Sequence, residues 1–175
     1  MIRLLALSGS LRAASSNGAL LGAAALLVPD GVMVEIFDGI GDLPHFNPDL
    51  EAEKLPRVVA GFRARIGRAD GLLISCPEYA RGIPGSFKNA LDWLVGSFEF
   101  PGKPVALFNA SPRAGDAQAA LRLVLETMSA RFVESAGLTL PLLAKGLDAR
   151  AIAADRTLAA PIAAALALFT MAIRP

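Results

Sequence analysis

The sequence predicts a doubly wound α/β fold, a three-layer sandwich in which helices cover both faces of a five-stranded parallel sheet. Short apolar runs alternate with longer amphipathic segments, which is the pattern of repeated strand-helix-strand units. The first and third runs are almost continuously apolar, as expected of strands covered on both faces. Polar loops containing glycine follow these two runs, where such a sheet forms its ligand-binding crevice.

The first part of the chain predicts a strand, a helix and a second strand. Residues 2–7 form an apolar run, and the Ala- and Leu-rich residues 18–27 predict a helix that Asn17 can cap. Turn residues at 29–31 then separate this helix from residues 32–37, which alternate like a strand. These three elements form the first strand-helix-strand unit.

The remaining residues repeat this alternation. Proline and glycine punctuate a loop at residues 40–49, after which apolar residues recur at helical spacing. The further predicted strands are residues 71–75, 104–110 and 132–140. The further predicted helices are residues 55–68, 86–95, 117–130 and about 155–173. Right-handed crossovers then favour the strand order 2-1-3-4-5.

The composition predicts one cytoplasmic domain, residues 1–175, that binds small molecules. The 17 basic and 16 acidic residues give a net charge of +1, which would not attract nucleic acid or an anionic membrane. The single cysteine, Cys76, and the single histidine, His45, argue against a disulfide framework and a zinc cluster. The apolar residues 158–173 are expected to form a buried terminal helix rather than a membrane span, because the stretch is short and contains Pro161.

The loop after the first strand, GSLRAASSN at residues 9–17, is suited to bind a phosphate. A strand-to-helix loop ends at free backbone N–H groups and the positive end of a helix dipole, which stabilise an anion. Its side chains add a planar guanidinium and several hydrogen-bond donors. These side chains are Ser10, Arg12, Ser15, Ser16 and Asn17. The P-loop and GxGxxG patterns are missing, and an ordinary capped turn is the alternative.

The loop after the third strand, CPEYARGIPGS at residues 76–86, carries different chemistry. Two prolines and two glycines make it stiff, so it could present backbone N–H groups to a planar heterocycle while Tyr79 lies against the ring. Simple packing is the alternative for Tyr79, and a helix-end contact is the alternative for Glu78. Cys76 is expected to be an inert, buried thiol. The loop NASPRAGD at residues 109–116 borders the same edge of the sheet.

Three motifs resemble those of the flavodoxin-like NADPH-dependent FMN reductase family. They are GSLRAASSN, LPHFNPDLE and PEYARGIPGSFKNALDWL, and together they extend the resemblance over almost the whole chain. The resemblance implies FMN as cofactor and NADPH as co-substrate, with hydride transferred through the flavin to a quinone-like or other small acceptor. It also implies a homodimer or homotetramer. The flavin carries the chemistry, so no catalytic acid or base, and no metal, is expected from the protein.

The resemblance also implies contacts between individual residues and FMN. The phosphate is expected in the first loop, and the isoalloxazine ring beside the second and third loops. The residues concerned are Ser10, Arg12, Ser15, Ser16 and Asn17 for the phosphate, and Pro77, Glu78, Tyr79 and Ser111 for the ring.

Two positions depart from the family pattern within the second loop. Ala80 replaces the usual asparagine and Gly82 the usual serine. We therefore expect a roomier and less polar flavin pocket, and weaker FMN binding that Ala80→Asn combined with Gly82→Ser would restore. Arg81, between them, is expected to reach the NADPH 2′-phosphate or a partner subunit.

A flavodoxin-like electron carrier or sensor that binds FMN without turnover is the main alternative function. Carriers usually have a strongly acidic docking surface, and the near balance of charges in this chain therefore favours the enzyme. A hydrolase or transferase on the same fold is disfavoured because no catalytic cluster accompanies the loops, although the fold by itself does not exclude one.

Overall fold

A computed structural model describes residues 1–174 as a parallel sheet with helices on both faces. The strands are β1 (Ile2–Ser8), β2 (Val32–Phe37), β3 (Gly71–Ser75), β4 (Pro104–Asn109), β5 (Arg131–Phe132) and β6 (Leu138–Thr139). Their order is β2-β1-β3-β4-β5, with β6 also paired to β4, and all of these pairs are parallel. The predicted order of the doubly wound sheet is confirmed.

The helices agree with the predicted helices to within a few residues at most of their ends. They are α1 (Ser16–Leu26), α2 (Pro48–Glu53), α3 (Arg57–Arg68), α4 (Gly85–Val95), α5 (Gly115–Thr127), α6 (Ala149–Ala154) and α7 (Arg156–Ile173). Short 3-10 helices lie at Gly39–Asp42 and Glu134–Ala136. The sequence did not predict α2 or α6, which have only six residues each.

The prediction of one fifth strand over residues 132–140 is wrong. The segment forms two short strands, and the 3-10 helix Glu134–Ala136 separates them. β5 pairs with the start of β4 and β6 with its end. The residues between the two strands include Glu134 and Gly137, which are poor strand formers, so the ladder is interrupted there.

Ser15, and not Asn17, caps helix α1. The Gly18 N–H donates to Ser15 Oγ at 3.3 Å, which satisfies one of the free N–H groups at the helix start. The helix begins two residues earlier than the sequence predicted, which places Asn17 inside its first turn. The Asn17 side chain instead accepts a hydrogen bond from the buried Ser75 hydroxyl at 2.8 Å.

Two apolar cores lie on opposite faces of the sheet. Successive strand residues point to alternate faces, so β1 contributes Leu5 and Leu7 to one core and Leu4 and Ala6 to the other. Helices α3, α4 and α5 cover the first face, with Phe62, Trp93 and Leu125 fully buried. Helices α1 and α7 cover the second, with Leu21 and Phe169 fully buried. These layers confirm the predicted sandwich.

The prediction of a buried terminal helix holds for one face of α7. By length and composition this is the one helix within residues 1–174 that could cross a membrane, with a mean hydropathy of 1.7. Four large side chains on its inner face are buried in the second core: Leu158, Ile162, Leu166 and Phe169. The outer face consists mainly of exposed alanines, and Met171 is 69% exposed there.

Candidate functional site

A cavity of about 960 Å³ opens beside the carboxyl ends of β1, β3 and β4. Three of its walls are the loops that the topology predicted, at residues 10–17, 76–79 and 109–114. The fourth wall, residues 143–149 between β6 and α6, was not predicted. A cavity of this size can hold a cofactor-sized ligand.

The first two loops touch each other at Gly9. The Gly9 N–H donates to the Ser75 carbonyl at 2.8 Å, which ties the end of β1 to the end of β3. A Cβ atom at Gly9 would lie 2.8 Å from Cys76 Sγ and 3.1 Å from Cys76 Cα. Only glycine therefore allows the two loops to approach this closely without displacement.

The start of α1 leaves several hydrogen-bond donors unpaired beside the cavity. The backbone N–H groups of Ser16 and Asn17 donate to no protein acceptor within residues 1–174. The Ser15 hydroxyl accepts from Gly18, so its own hydrogen is available to a ligand. Arg12 lines the cavity, and none of the ion pairs found in the described part of the chain involves it. Free N–H groups, a hydroxyl and an unengaged guanidinium are the donors that a phosphate group requires.

Two other serines of the first loop line the cavity but already make internal contacts. Ser10 Oγ accepts from the Arg12 N–H at 3.3 Å, which holds the loop in a turn. Ser16 Oγ donates to the Leu142 carbonyl at 3.4 Å. The Ser16 side chain therefore links the loop to the fourth wall, while its backbone N–H stays free for a ligand.

Residues 79–82 of the second loop form a tight turn. Tyr79 N–H donates to the Gly82 carbonyl at 3.1 Å, and Gly82 N–H donates to the Tyr79 carbonyl at 3.0 Å. Ala80 and Arg81, the two central residues, have φ angles of 50° and 61°, as in a type I′ turn. Neither of these two left-handed residues is a glycine, and the turn is therefore strained.

The expectation that Ala80, Arg81 and Gly82 lie beside a ligand stays a prediction. The cavity lining includes Tyr79 and ends there, because the next three residues form the turn. The side chains of Ala80 and Arg81 are exposed, and Arg81 lies 3.4 Å from the Asp116 carboxylate. The second loop contributes residues 76–79 to the cavity lining, and the predicted effect of Ala80 and Gly82 on the flavin pocket stays a prediction.

Glu78 lines the cavity and also joins the second loop to α5. Its Oε2 atom accepts from the Ala117 N–H at 3.0 Å, in the first turn of that helix. Gln118 adds a second link by donating to the Cys76 carbonyl at 3.3 Å. The helix-end contact considered for Glu78 from the sequence is confirmed. Contact between Glu78 and a flavin stays a prediction.

The second and third loops give the cavity an aromatic side chain and further polar residues. Pro77 and Tyr79 line the cavity, and Tyr79 is 48% exposed, so its ring is available for stacking. Ser111 lines it from the third loop, and the Ser111 N–H donates to Asn109 Oδ1 at 3.0 Å. Arg113 also lines the cavity, and the sequence reasoning did not single it out.

Cys76 lines the cavity, and its burial disfavours the thiolate form. Its side chain is fully buried, and burial raises the pKa of the thiol from 9.0 to about 12. The Sγ atom donates to the Pro77 carbonyl at 3.4 Å. The expectation of a buried thiol is confirmed, and its inertness stays a prediction.

The fourth wall is positioned by the packing of α6 against α1. A Cβ atom at Gly22 would lie 2.8 Å from the Ala149 Cβ, so the two helices are in close contact. Asp148 caps α6, with its carboxylate accepting from the Ala151 N–H at 2.8 Å. An aspartate before an alanine-rich run is a helix-start signal, and it could have predicted α6 from the sequence. It could not have predicted that the loop before α6 reaches the cavity.

Comparison with known proteins identifies the family. The model of the NADPH-dependent FMN reductase family matches residues 2–142, which include all three predicted loops. The chain belongs to this family. One relative is an NAD(P)H-dependent FMN reductase of Pseudomonas aeruginosa. It is 43% identical to this chain over 125 residues, which are 70% of this chain and 67% of that protein. A quinone reductase of Pseudomonas putida is 42% identical over 111 residues, which are 61% of this chain but only 58% of that protein.

A solved structure of a related protein is similar to this chain over almost its whole length. The flavoenzyme NAD(P)H:(acceptor) oxidoreductase of Paracoccus denitrificans superposes with a TM-score of 0.80 at 30% identity, covering 99% of this chain and 97% of that one. The flavodoxin-like fold implied by the motifs is thereby confirmed. The fourth wall, residues 143–149, lies beyond the segment that the family model matches.

Proposed function

We propose that the chain is an NAD(P)H-dependent FMN oxidoreductase that transfers hydride from NADPH through FMN to a quinone-like or other small acceptor. The observation that carries this proposal is one cavity that combines an anion site at α1 with an exposed Tyr79 ring. Family membership supports it, and relatives are named FMN reductase and quinone reductase. The quinone-like acceptor rests on those names.

The first loop would hold the FMN phosphate. The N–H groups of Ser16 and Asn17 point out of the first turn of α1, where the helix dipole favours an anion. The hydroxyls of Ser10 and Ser15 and the guanidinium of Arg12 would complete the set of donors. No acid lies in this loop, so a dianionic phosphate meets no repulsion from it.

The second and third loops would hold the isoalloxazine ring. Pro77, Glu78 and Tyr79 line the cavity from the second loop, and Ser111 lines it from the third. When bound, FMN supplies the hydride chemistry. The side chains need only position the ring and leave one face open to the nicotinamide and then to the acceptor.

Arg81 is proposed to recognise the 2′-phosphate of NADPH. It is exposed beside the cavity and pairs with Asp116 at 3.4 Å, so a ligand phosphate would compete with that carboxylate. Arg81→Ala should then raise the KM for NADPH more than the KM for NADH, and Asp116→Asn should lower the KM for NADPH. Equal changes for both nucleotides would contradict this role.

The decisive experiment uses the flavin spectrum of the purified protein. The protein should bind FMN and release it on denaturation, and NADPH added anaerobically should bleach the flavin absorbance. A benzoquinone added next should restore it. Bound FMN that NADPH fails to bleach would instead support the carrier or sensor, and failure to bind FMN would refute both functions.

Arg12→Ala tests the phosphate assignment separately. Loss of one charge-assisted hydrogen bond should weaken FMN by about 1.5–3 kcal/mol, roughly ten- to a hundredfold. Riboflavin, which lacks the phosphate, should bind almost as before. Equal losses for the two flavins would place Arg12 away from the phosphate.

A cytoplasmic location and a homodimeric or homotetrameric assembly are also part of this proposal. Phe98 is 99% exposed, and Val95 beside it at the end of α4 is also exposed, which favours association through this surface. Light scattering on the wild type and on Phe98→Ser would test the assembly. The wild type should be oligomeric, and the Phe98→Ser variant should already be dissociated at protein concentrations at which the wild type is still assembled.

A further inference from the structure

Ser75, the last residue of β3, holds both ends of the loop at residues 9–17. Its carbonyl accepts from the Gly9 N–H at 2.8 Å, and its hydroxyl donates to Asn17 Oδ1 at 2.8 Å. Ser75 is 0% exposed, so water cannot replace either partner. A residue on the neighbouring strand thus fixes the two ends of the loop that lines the anion site.

The Ser75 hydroxyl also determines the orientation of the Asn17 amide. A buried hydroxyl needs an acceptor, and in an amide side chain only the oxygen accepts. With Oδ1 held by Ser75, the Nδ2 group lies on the other side of the amide. Asn17 lines the cavity, and its Nδ2 group donates to no protein acceptor in the described chain, residues 1–174. It therefore remains available beside the free N–H groups of α1.

We propose that Ser75 is a positioning residue that keeps the Asn17 amide nitrogen turned towards a bound phosphate monoester. This inference rests on the proposed function, because the phosphate is taken to be that of FMN. Without the hydroxyl, the Asn17 amide is free to rotate and to present its oxygen to the anion, which repels it. Ser75 itself does not line the cavity, so its hydroxyl acts through Asn17.

The test compares FMN with riboflavin, two ligands that differ only in the phosphate. Dissociation constants are measured by the quenching of flavin fluorescence. Ser75→Ala should weaken FMN about five- to tenfold, the loss of about one hydrogen bond, and should leave riboflavin within about twofold. Ser75→Thr, which keeps the hydroxyl, should bind both flavins nearly as the wild type does.

A double-mutant cycle separates positioning from general stability. Asn17→Ala should weaken FMN selectively, and adding Ser75→Ala to it should weaken FMN no further. Two results would overturn the proposal and show that Ser75 only supports the fold. One is that Ser75→Ala weakens the binding of FMN and riboflavin equally. The other is that Ser75→Ala weakens FMN binding by the same factor in the Asn17→Ala variant as in the wild type.

A second variant covers the case in which Ser75→Ala shows no cooperative thermal transition. Asn17→Asp keeps the acceptor for Ser75 but places an anionic oxygen where the amide nitrogen was. The ratio of FMN to riboflavin affinity should fall at least tenfold, and an unchanged ratio would overturn the proposal. If the wild type does not prefer FMN to riboflavin, the FMN site is refuted as well. If the wild type prefers FMN and these variants keep that preference, only the positioning role is refuted.

Discussion

Replacing Gly9 with alanine tests whether the first two cavity loops touch as closely as the structure shows. The added Cβ would lie 2.8 Å from Cys76 Sγ, 3.1 Å from Cys76 Cα and 3.1 Å from Pro77 Cδ. Carbon atoms pack best at about 3.5–4.0 Å, so all three contacts are too short. Two of the three atoms belong to the backbone or to a proline ring and cannot move away without moving the loop.

The size of the effect follows from these contacts. Overpacking of a buried site lowers the free energy of unfolding by about 1–3 kcal/mol. Alanine also reduces the conformational entropy of the unfolded chain, which raises the free energy of unfolding by about 0.4–1 kcal/mol. We therefore expect the free energy of unfolding of Gly9→Ala to fall by about 1–2 kcal/mol and its Tm by about 2–8 °C. FMN should also bind more weakly, because the loops are pushed apart at the point where they form the cavity.

Differential scanning calorimetry measures the change, with Gly115→Ala as the matched control. Gly115 is the exposed first residue of α5, and a Cβ atom there would meet nothing within 4 Å. Its Tm should stay the same or rise slightly. Adding Cys76→Ala to Gly9→Ala removes the shortest contact and should recover part of the loss. The reasoning fails if Gly9→Ala and Gly115→Ala have the same Tm.

The further predictions concern three residues whose environment the structure defines. Ser129 follows α5 with a φ of 65°, so Ser129→Gly should raise the free energy of unfolding by about 1 kcal/mol in calorimetry, whereas Ser129→Ala should not. Ala80→Asn should stabilise the turn by about 0.5–1 kcal/mol and leave the FMN dissociation constant within about twofold; tighter FMN binding would show that residue 80 faces the flavin. Cys76 should resist iodoacetamide at pH 8 until guanidinium unfolds the chain, as followed by mass spectrometry. The pKa of the Cys76 thiol is about 12 in the folded state and 9.0 in the unfolded state, so between these pH values only the unfolded state loses the thiol proton. The free energy of unfolding should therefore fall as the pH rises above 9.0. The Cys76→Ala variant should lack this component of the pH dependence.

The sequence predicted the sheet order and three walls of the cavity, because these depend on local periodicity and on the geometry of parallel sheets. It misplaced the cap of α1, because Asn17 and Ser15 are both good capping residues and only the buried Ser75 hydroxyl decides between them. The interrupted fifth strand at 132–140 was missed because a short break inside an edge strand carries almost no periodic signal.

The remaining differences arise from tertiary structure. A motif fixes the spacing of residues 80–82 but not the type of turn, which here contains two successive left-handed residues, Ala80 and Arg81. Residues 143–149 reach the cavity only because α6 packs against Gly22 on α1, a contact between segments far apart in the chain. Neither feature follows from local pattern.

Because the fourth wall is continuous with α6 and α7, the cavity is complete only when the C-terminal helices are docked. A ligand that binds this completed state stabilises it by mass action over any state in which the two helices have come away from the sheet. Occupancy of the cavity should therefore slow amide hydrogen exchange in α6 and α7, including backbone groups that a ligand never touches. Hydrogen exchange in the alanine-rich helices α6 and α7 would then show whether the cavity is occupied.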